Sequence, residues 1–405
     1  MAARRFTLDF LRTEAAVGAA VALAALLGLI VANSPLAPIY RDALDVPQTL
    51  QVGAWSETLP GLDWVKDGLM ALVFFAVGLE IKLEGVKGEL SSPRRLAFPA
   101  AAALGGMVGA AALYALVDRA TGGGADAGWP IPTPTDGALA LAVLALTARR
   151  RASGLRTFLL ALSAAQLLGA VLLIAALYTH DIDWGALRLA GAALAAMAAL
   201  SRWKRAPALA WGLAAAMLWG FSLHSGVNPA VAAVAAAMTI PLRPRKDGER
   251  GVLERVIAGL APYVAFGVLP LFAFCAAGVS FDGMTLRDVA APATLAVLAG
   301  VAIGKPLGVL GAAALAVRLK LARRPTGAGW GELAGVAILS GVGFTFSLYL
   351  AGLAFDGDPA SDAQARLGVI AGGVICALAG GGVLWALDRR ATASTTAPVG
   401  TRKRV

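Results

Sequence analysis

Ile131-Pro132-Thr133-Pro134-Thr135-Asp136-Gly137 sets a carboxylate inside an apolar run, and Ile303-Gly304-Lys305-Pro306-Leu307-Gly308 sets an ammonium inside another. A charge at bilayer depth costs about 2.5–3.5 kcal/mol on insertion scales, so it persists where a transport path needs it or a partner compensates it. Both sites are flanked by Pro and Gly, which break helices. A third run, Ser340-Gly341-Val342-Gly343-Phe344-Thr345, interrupts a later apolar stretch. Counted from the third to the fifth span and from the tenth to the twelfth, each break occupies the middle helix of a three-helix unit. Corresponding breaks in two halves, beside intramembrane charges, mark the midplane site of an inverted-repeat carrier.

The surrounding composition fits that setting. Of 405 residues, 58% are hydrophobic and 15% charged, and the mean hydropathy is +0.73. A soluble domain has about 45–50% apolar and about 25% charged residues. Twelve apolar stretches are each expected to span a bilayer as a helix. They lie near 13–33, 65–82, 96–117, 130–148, 156–178, 186–201, 207–223, 226–242, 256–279, 289–315, 330–355 and 367–388. The expectation is an all-α membrane protein with one integral domain over 1–390. Residues 391–405 read as a disordered basic tail suited to resting on anionic lipid.

The net charge of +10 suggests nucleic acid until its distribution is followed. Basic residues gather in alternate connections, at Arg4/Arg5/Arg12, Lys82/Lys87/Arg94/Arg95, Arg149–Arg151 with Arg156, Arg202/Lys204/Arg205, Arg243–Arg255, Arg318–Arg324 and Arg389–Arg404. The intervening connections hold only Arg41, Lys66, Arg119, Arg188, Arg287 and Arg366. Twelve spans with both termini cytoplasmic satisfy the positive-inside rule at every loop, and an odd number would break the alternation. No nucleic-acid partner and no soluble catalysis is therefore expected.

Cys275 and Cys376 both fall inside expected spans, and His180 and His224 near their outer ends, so no transition-metal spacing and no cofactor motif is present. The first apolar stretch is too long for a cleaved signal core. In the long outer loop 34–61, the partly alternating residues 48–55 are expected to form a short hairpin around Gly53.

Where two broken helices cross, two half-helix N-termini and two C-termini meet at low dielectric, and unwound backbone needs partners that lipid does not offer. Asp136 beside the positive ends and Lys305 beside the negative ends would neutralise them, which is a structural role. The functional reading makes Asp136 a cation ligand or proton carrier and Lys305 a titrating group. Thr135 either ligates a hard cation through its hydroxyl or caps a helix. The residues alone leave these open.

Along nearly its full length the chain resembles the NhaA-type sodium/proton antiporters. The resemblance rests on Val31-Ala32-Asn33-Ser34, Phe74-Phe75-Ala76-Val77-Gly78-Leu79-Glu80-Ile81-Lys82, Trp129-Pro130-Ile131-Pro132 leading into Thr135-Asp136, and Phe158-Leu159-Leu160-Ala161-Leu162. It continues through Leu168-Gly169-Ala170, Ser225-Gly226-Val227, Leu269-Pro270-Leu271-Phe272-Ala273-Phe274, Gly304-Lys305-Pro306-Leu307-Gly308 and Gly343-Phe344-Thr345. The resemblance implies twelve helices with the fourth and eleventh broken and crossing. It implies a carrier of a bacterial inner membrane rather than an enzyme, exchanging cytoplasmic Na+ or Li+ for external H+. It also implies a homodimer held partly by an outer hairpin, which suits residues 48–55.

The chain departs from the family where ions are held. The family carries adjacent aspartates just before Leu-Gly-Ala on the fifth helix; here Gln166 and Leu167 stand there. An amide offers a neutral oxygen but carries no proton at physiological pH, and Leu does neither. The candidate ion-binding residues are thus Asp136, Thr135, Lys305 and Gln166, with Asp136 the Na+ candidate. Sodium/proton exchange is expected to be weak or absent, which leaves a non-exchanging structural or regulatory relative, or a carrier of a different substrate, as alternatives. After Ser225-Gly226-Val227 the family often has His; Asn228 removes that near-neutral group. Glu80, Glu84 and Glu254 match family carboxylates tied to the cytoplasmic pH response, and equally suit interfacial charges paired with Lys82, Lys87 or Arg255.

Overall fold

The computed structural model describes residues 2–52, 55–87, 93–148, 152–203, 206–242, 251–285, 289–325 and 328–396. Helix α1 (Ala2–Ala32) leads through α2 (Ala37–Asp45) into strands β1 (Pro47–Val52) and β2 (Trp55–Pro60). A π-helical turn at Trp64–Leu69 opens α3 (Met70–Lys87). Helices α4 (Pro93–Ala120), α5 (Gly137–Thr147), α6 (Ala152–Leu177), α7 (Trp184–Leu200), α8 (Ala208–His224) and α9 (Pro229–Thr239) follow. Then come α10 (Val252–Ala276) and α11 (Pro292–Arg318), and finally α12 (Trp330–Leu339), α13 (Phe344–Ala354) and α14 (Pro359–Thr396). The apolar stretches expected from the sequence overlap these helices or the α12–α13 pair, but the fourth, 130–148, is helical only over Gly137–Thr147. Among the described residues, six helices are long and apolar enough to cross a membrane. The α12–α13 pair, bent by 45°, adds a seventh if it counts as one span. Helices α5, α7, α8 and α9 are apolar but shorter.

Local chemistry sets the helix starts. Asp183 accepts the N–H groups of Gly185 and Ala186 at the start of α7. Asn228 accepts the Ala230 N–H, with Pro229 at the first helical position of α9. Both place a side-chain oxygen on backbone donors that a helix start leaves without partners. The hairpin is longer than the 48–55 expected. Its antiparallel register runs from Pro47↔Pro60 to Val52↔Trp55, and the hydroxyls of Thr49 and Thr58 lie 2.8 Å apart across it. The turn at Gly53 lies outside the described residues. At the other end of the chain, α14 continues through Thr396, six residues into the stretch expected as tail; residues 397–405 lie outside the described residues.

Two prolines are absorbed by widened turns. Pro270 and Pro306 have no N–H to donate, and each follows a π-helical turn, Val264–Val268 and Gly300–Gly304. There the N–H groups of Leu269 and Lys305 reach back five residues to the carbonyls of Val264 and Gly300. The acceptor that Pro306 leaves open in this register is Val301, whose carbonyl takes the Cys376 thiol at 3.6 Å.

Helices α4 and α11 meet through Gly105-x-x-x-Gly109 and Gly304-x-x-x-Gly308. A Cβ built on Gly308 would lie 2.1 Å from the Gly105 carbonyl oxygen, and one on Gly109 2.5 Å from that of Gly304. With no water to drive membrane helices together, small residues permit the close approach that makes their packing favourable. Lys305 lies on α11 between the two glycines that face α4.

The buried apolar side chains form two large clusters. One contains Ile131, Phe344 and an aromatic group in which Phe74 lies 5.0 Å from Tyr349 and 5.7 Å from Phe346 between ring centroids. The other contains Ala140, Leu144 and Leu339. Between Ile131 and Ala140 the chain passes from the first cluster to the second, and between Leu339 and Phe344 it passes back. The non-helical segment before α5 and the break between α12 and α13 therefore lie at the seam, and the chain runs through them in opposite senses.

Candidate ion site at the helix crossing

The segment before α5 and the break between α12 and α13 are laced together through backbone groups left outside any helix. Asp136 N–H donates to the Val342 carbonyl at 2.7 Å. The Ser347 hydroxyl donates to the Ile131 carbonyl, also at 2.7 Å. Gly343 permits this approach, because a Cβ there would lie 2.7 Å from the Pro134 carbonyl oxygen.

Asp136 serves both positive ends. Its Oδ1 accepts the Leu139 N–H at the start of α5, and its Oδ2 accepts the Thr345 N–H at the start of α13, each at 3.2 Å. One buried carboxylate thus bridges two helix N-termini, where a negative charge is worth about 0.3–1 kcal/mol at the surface and about 2 kcal/mol when partly buried. Lys305 serves an unwound carbonyl just ahead of α5. It is wholly buried, and its Nζ donates to the Pro134 carbonyl.

Thr135 and Gln166 complete the constellation, both buried. Thr135 Oγ1 lies 2.5 Å from Gln166 Oε1 and 2.5 Å from the Ser340 carbonyl oxygen. Both are acceptors and the hydroxyl has one proton. Turning the Gln166 amide by half a turn meets the proton count: Nε2 then donates to Thr135 Oγ1, and Thr135 donates to Ser340. Amide nitrogen and oxygen are assigned by such networks. The remaining amide atom has no protein partner and lies within 2.7 Å of the point where a Cβ on Gly106 would stand, with Lys305 Cγ 3.7 Å from the same point. In this orientation it is a carbonyl oxygen turned toward the Lys305 stem.

Two further buried hydroxyls, of Ser163 and Thr345, have no hydrogen-bond partner among the described residues. Ser163 lies three residues before Gln166 on α6, and its Oγ would be 3.5 Å from a Cβ on Gly137. Carboxylate, hydroxyl and amide oxygens with open lone pairs suit a hard monovalent cation rather than a transition metal. Among the described residues no group of three or more His, Cys, Asp or Glu is placed to hold a metal ion. Leu167, next to Gln166, is partly buried against the first apolar cluster and offers no oxygen. Ser163, Ser340 and Ser347 were not singled out from sequence. The available signal for Ser163 was its spacing from Gln166, which puts both on one helix face.

The remaining sequence candidates lie away from the crossing. Lys87 pairs with Glu254 at 2.6 Å, and Glu254 Oε2 also accepts the Gly251 N–H at 3.0 Å, capping α10. Lys82 donates to the carbonyls of Met238 and Ile240 at 2.5 and 2.6 Å. Glu80 is exposed, one turn before Glu84 on α3. Asn228 caps α9 and accepts the Tyr349 hydroxyl at 3.0 Å, tying α9 to α13.

Comparison with known proteins places this arrangement. The family model described as Na+/H+ antiporter 1 matches residues 8–384. The Na(+)/H(+) antiporter NhaA of Pseudomonas putida (strain GB-1) is 44% identical over 377 residues, covering 92% of this chain and 95% of that protein. The Na(+)/H(+) antiporter NhaA of Pasteurella multocida (strain Pm70) is 42% identical over 375 residues, covering 92% and 98%. That of Bordetella bronchiseptica (strain ATCC BAA-588 / NCTC 13252 / RB50) is 43% identical over 375 residues, covering 92% and 94%. With a match across nearly its whole length, the chain belongs to the Na+/H+ antiporter 1 family.

Proposed function

We propose that the protein is a sodium/proton antiporter that exchanges cytoplasmic Na+ or Li+ for external H+ across a bacterial inner membrane, and that its coupling is weak. The observation that carries this reading is the joint burial of Asp136 and Lys305 at the crossing, with Gln166 and Leu167 in place of a carboxylate pair. A proton-coupled carrier needs a group that binds a proton in one step and releases it in another. Asp136 and Lys305 are the titratable groups at this crossing, so the proton falls to them. The cation's oxygen ligands are Asp136, Thr135 and the Gln166 amide, with the unpartnered Ser163 and Thr345 hydroxyls beside them. A second reading, a relative that keeps the fold without exchanging, is favoured by one observation: both oxygens of Asp136 already hold backbone N–H groups. In the proposed architecture twelve spans leave both termini cytoplasmic, as the alternating basic connections support. The protein works as a homodimer through the outer hairpin that contains residues 48–55.

The test is collapse of a proton gradient in inverted vesicles by sodium, lithium and potassium. Slow exchange with sodium or lithium is expected from the native chain, and none from Asp136→Asn. The double variant Gln166→Asp with Leu167→Asp is expected to exchange faster. No exchange by the native chain, with exchange restored in the double variant, would select the second reading. Robust native exchange that survives Asp136→Asn would show the site to be elsewhere.

A further inference from the structure

The connection from α11 to α12 carries charges that the exchange reaction does not use. After Arg318 the chain turns back on itself: the Lys320 N–H reaches the Val317 carbonyl, and those of Leu321 and Ala322 reach that of Ala316. Lys320 holds this turn with φ at 61°, a left-handed conformation that glycine adopts freely and a residue with a Cβ adopts at a cost. Backbone strain kept at such a position points to a use for the side chain.

Lys320, Arg323 and Arg324 line an open cavity of about 560 Å3 with Val317, Ala322 and Trp330. The Arg324 guanidinium lies 5.8 Å from the Trp330 ring centroid. Among the described residues, no carboxylate forms an ion pair with any of the three cations. Glu332, the nearest acid along the chain, is buried and accepts the Gly329 N–H at 2.7 Å. Leu319 and Leu321, on either side of Lys320, are 57% and 70% exposed, and Trp330 is 42% exposed. A second Trp–Arg pair, Arg389 4.0 Å over Trp385, stands at the same end of the molecule, because α14 packs on the start of α12 through Leu387 against Gly331.

Three cations without an ion pair among the described residues, two of them guanidinium forks suited to phosphate oxygens, face a cavity of small-ligand size, and exposed leucines flank Lys320 along the chain. That combination fits a ligand with a phosphate at one end and hydrocarbon at the other. We propose that this cavity is a specific site for the phosphodiester headgroup of an anionic phospholipid, whose acyl chains lie along Leu319 and Leu321. Inorganic phosphate shares the charge but leaves the leucines uncovered. A membrane's general attraction for basic loops, about 1 kcal/mol per cation near the surface, would not distinguish this connection from any other.

The experiment uses the purified, delipidated full chain in neutral detergent. Binding of phosphatidylglycerol, phosphatidylcholine and inorganic phosphate is measured by native mass spectrometry and by thermal shift. The native chain is expected to bind and be stabilised by phosphatidylglycerol alone. Arg323→Gln with Arg324→Gln is expected to weaken that binding at least tenfold. Arg243→Gln with Arg245→Gln, an equal loss of charge in another basic connection, should leave it unchanged. Lys320→Gly relieves the backbone while removing a cation, so it is expected to melt no lower than the native chain without lipid and still to bind phosphatidylglycerol more weakly. An equal loss in both double variants would mean diffuse attraction and overturn the site. So would an equal response to inorganic phosphate, or Lys320→Gly binding as well as the native chain.

Discussion

Replacing Gly308 by Ala tests how the crossing is held in register. A Cβ at that position would stand 2.1 Å from the Gly105 carbonyl oxygen and 2.8 Å from its carbon. Real Cβ atoms essentially never come within 3.0 Å of another heavy atom, so the two helices must part by roughly 1 Å. The obstacle is backbone and has no rotamer to yield, so the cost belongs at the upper end of the overpacking range, about 2–3 kcal/mol. At about 2 °C per kcal/mol for a large chain, the melting temperature should fall by about 4–6 °C. Gly311 is the matched control: it lies on the same helix, and a Cβ there meets nothing within 4 Å. Gly311→Ala should melt at or slightly above the native temperature, since Ala exceeds Gly in helix propensity by about 1 kcal/mol. Lys305 lies one turn before Gly308, so parting α4 from α11 also pulls its Nζ off the Pro134 carbonyl, and exchange in vesicles should fall in Gly308→Ala only. The assay is thermal unfolding of purified variants in one detergent, with vesicle exchange in parallel. Equal melting temperatures for the two variants, or a native temperature for Gly308→Ala, would refute the close-approach argument.

Other outcomes follow from the same geometry. Cysteine introduced at Ser92 should be labelled only from the cytoplasmic side and at Ser56 only from the outside; reversal at either position overturns the topology. Asp183 takes two backbone N–H bonds at the start of α7, and these hold its carboxyl below the usual value of 3.8. Its capping contribution is therefore fully present above that value and is lost as pH falls through the lowered one. Amide exchange at Gly185 and Ala186, corrected for its intrinsic pH dependence, should keep its protection down to the usual value of 3.8 and lose it only as pH falls further. Asp183→Asn, which keeps an acceptor but does not titrate, should show no such loss; a loss of the same size in that variant would assign it to another group.

The charges were legible in the sequence because an ionisable residue in an apolar run has few explanations. Asp136 and Lys305 stand out from any hydropathy trace, and the Pro and Gly around them mark interruptions. Which atoms they serve was not legible. That Asp136 bridges two helix starts, one of them more than two hundred residues away, depends on the antiparallel passage of both segments through the seam. The meeting of Gly105 and Gly109 with Gly304 and Gly308 was hidden for the opposite reason: among 48 glycines, spacing alone selects no pair. Pro306 announced disruption, yet the chain continues as helix through it, as it does through Pro270, because a widened turn absorbs the missing donor. The hairpin was seen but cut short, since its strands extend to a proline at each end and the alternation fades before either is reached. The substitution of Gln166 and Leu167 was visible in sequence, whereas the Gln166–Thr135–Ser340 chain of hydrogen bonds requires three separate elements to converge.

The widened turn Gly300–Gly304 also sets how the chain tolerates changes in length. A π-helical turn holds one residue more than the regular helix on either side. Deleting one residue within it would let the helix close up with ordinary spacing. Lys305 and the residues after it would keep their facing, because the extra residue was absorbed within the turn, whereas a deletion in a regular helix rotates everything beyond it by about 100°. A single-codon deletion within Gly300–Gly304 would therefore leave the ammonium near the Pro134 carbonyl and Gly308 against Gly105, while the same deletion within Pro292–Ala299 would turn both away and disable the crossing.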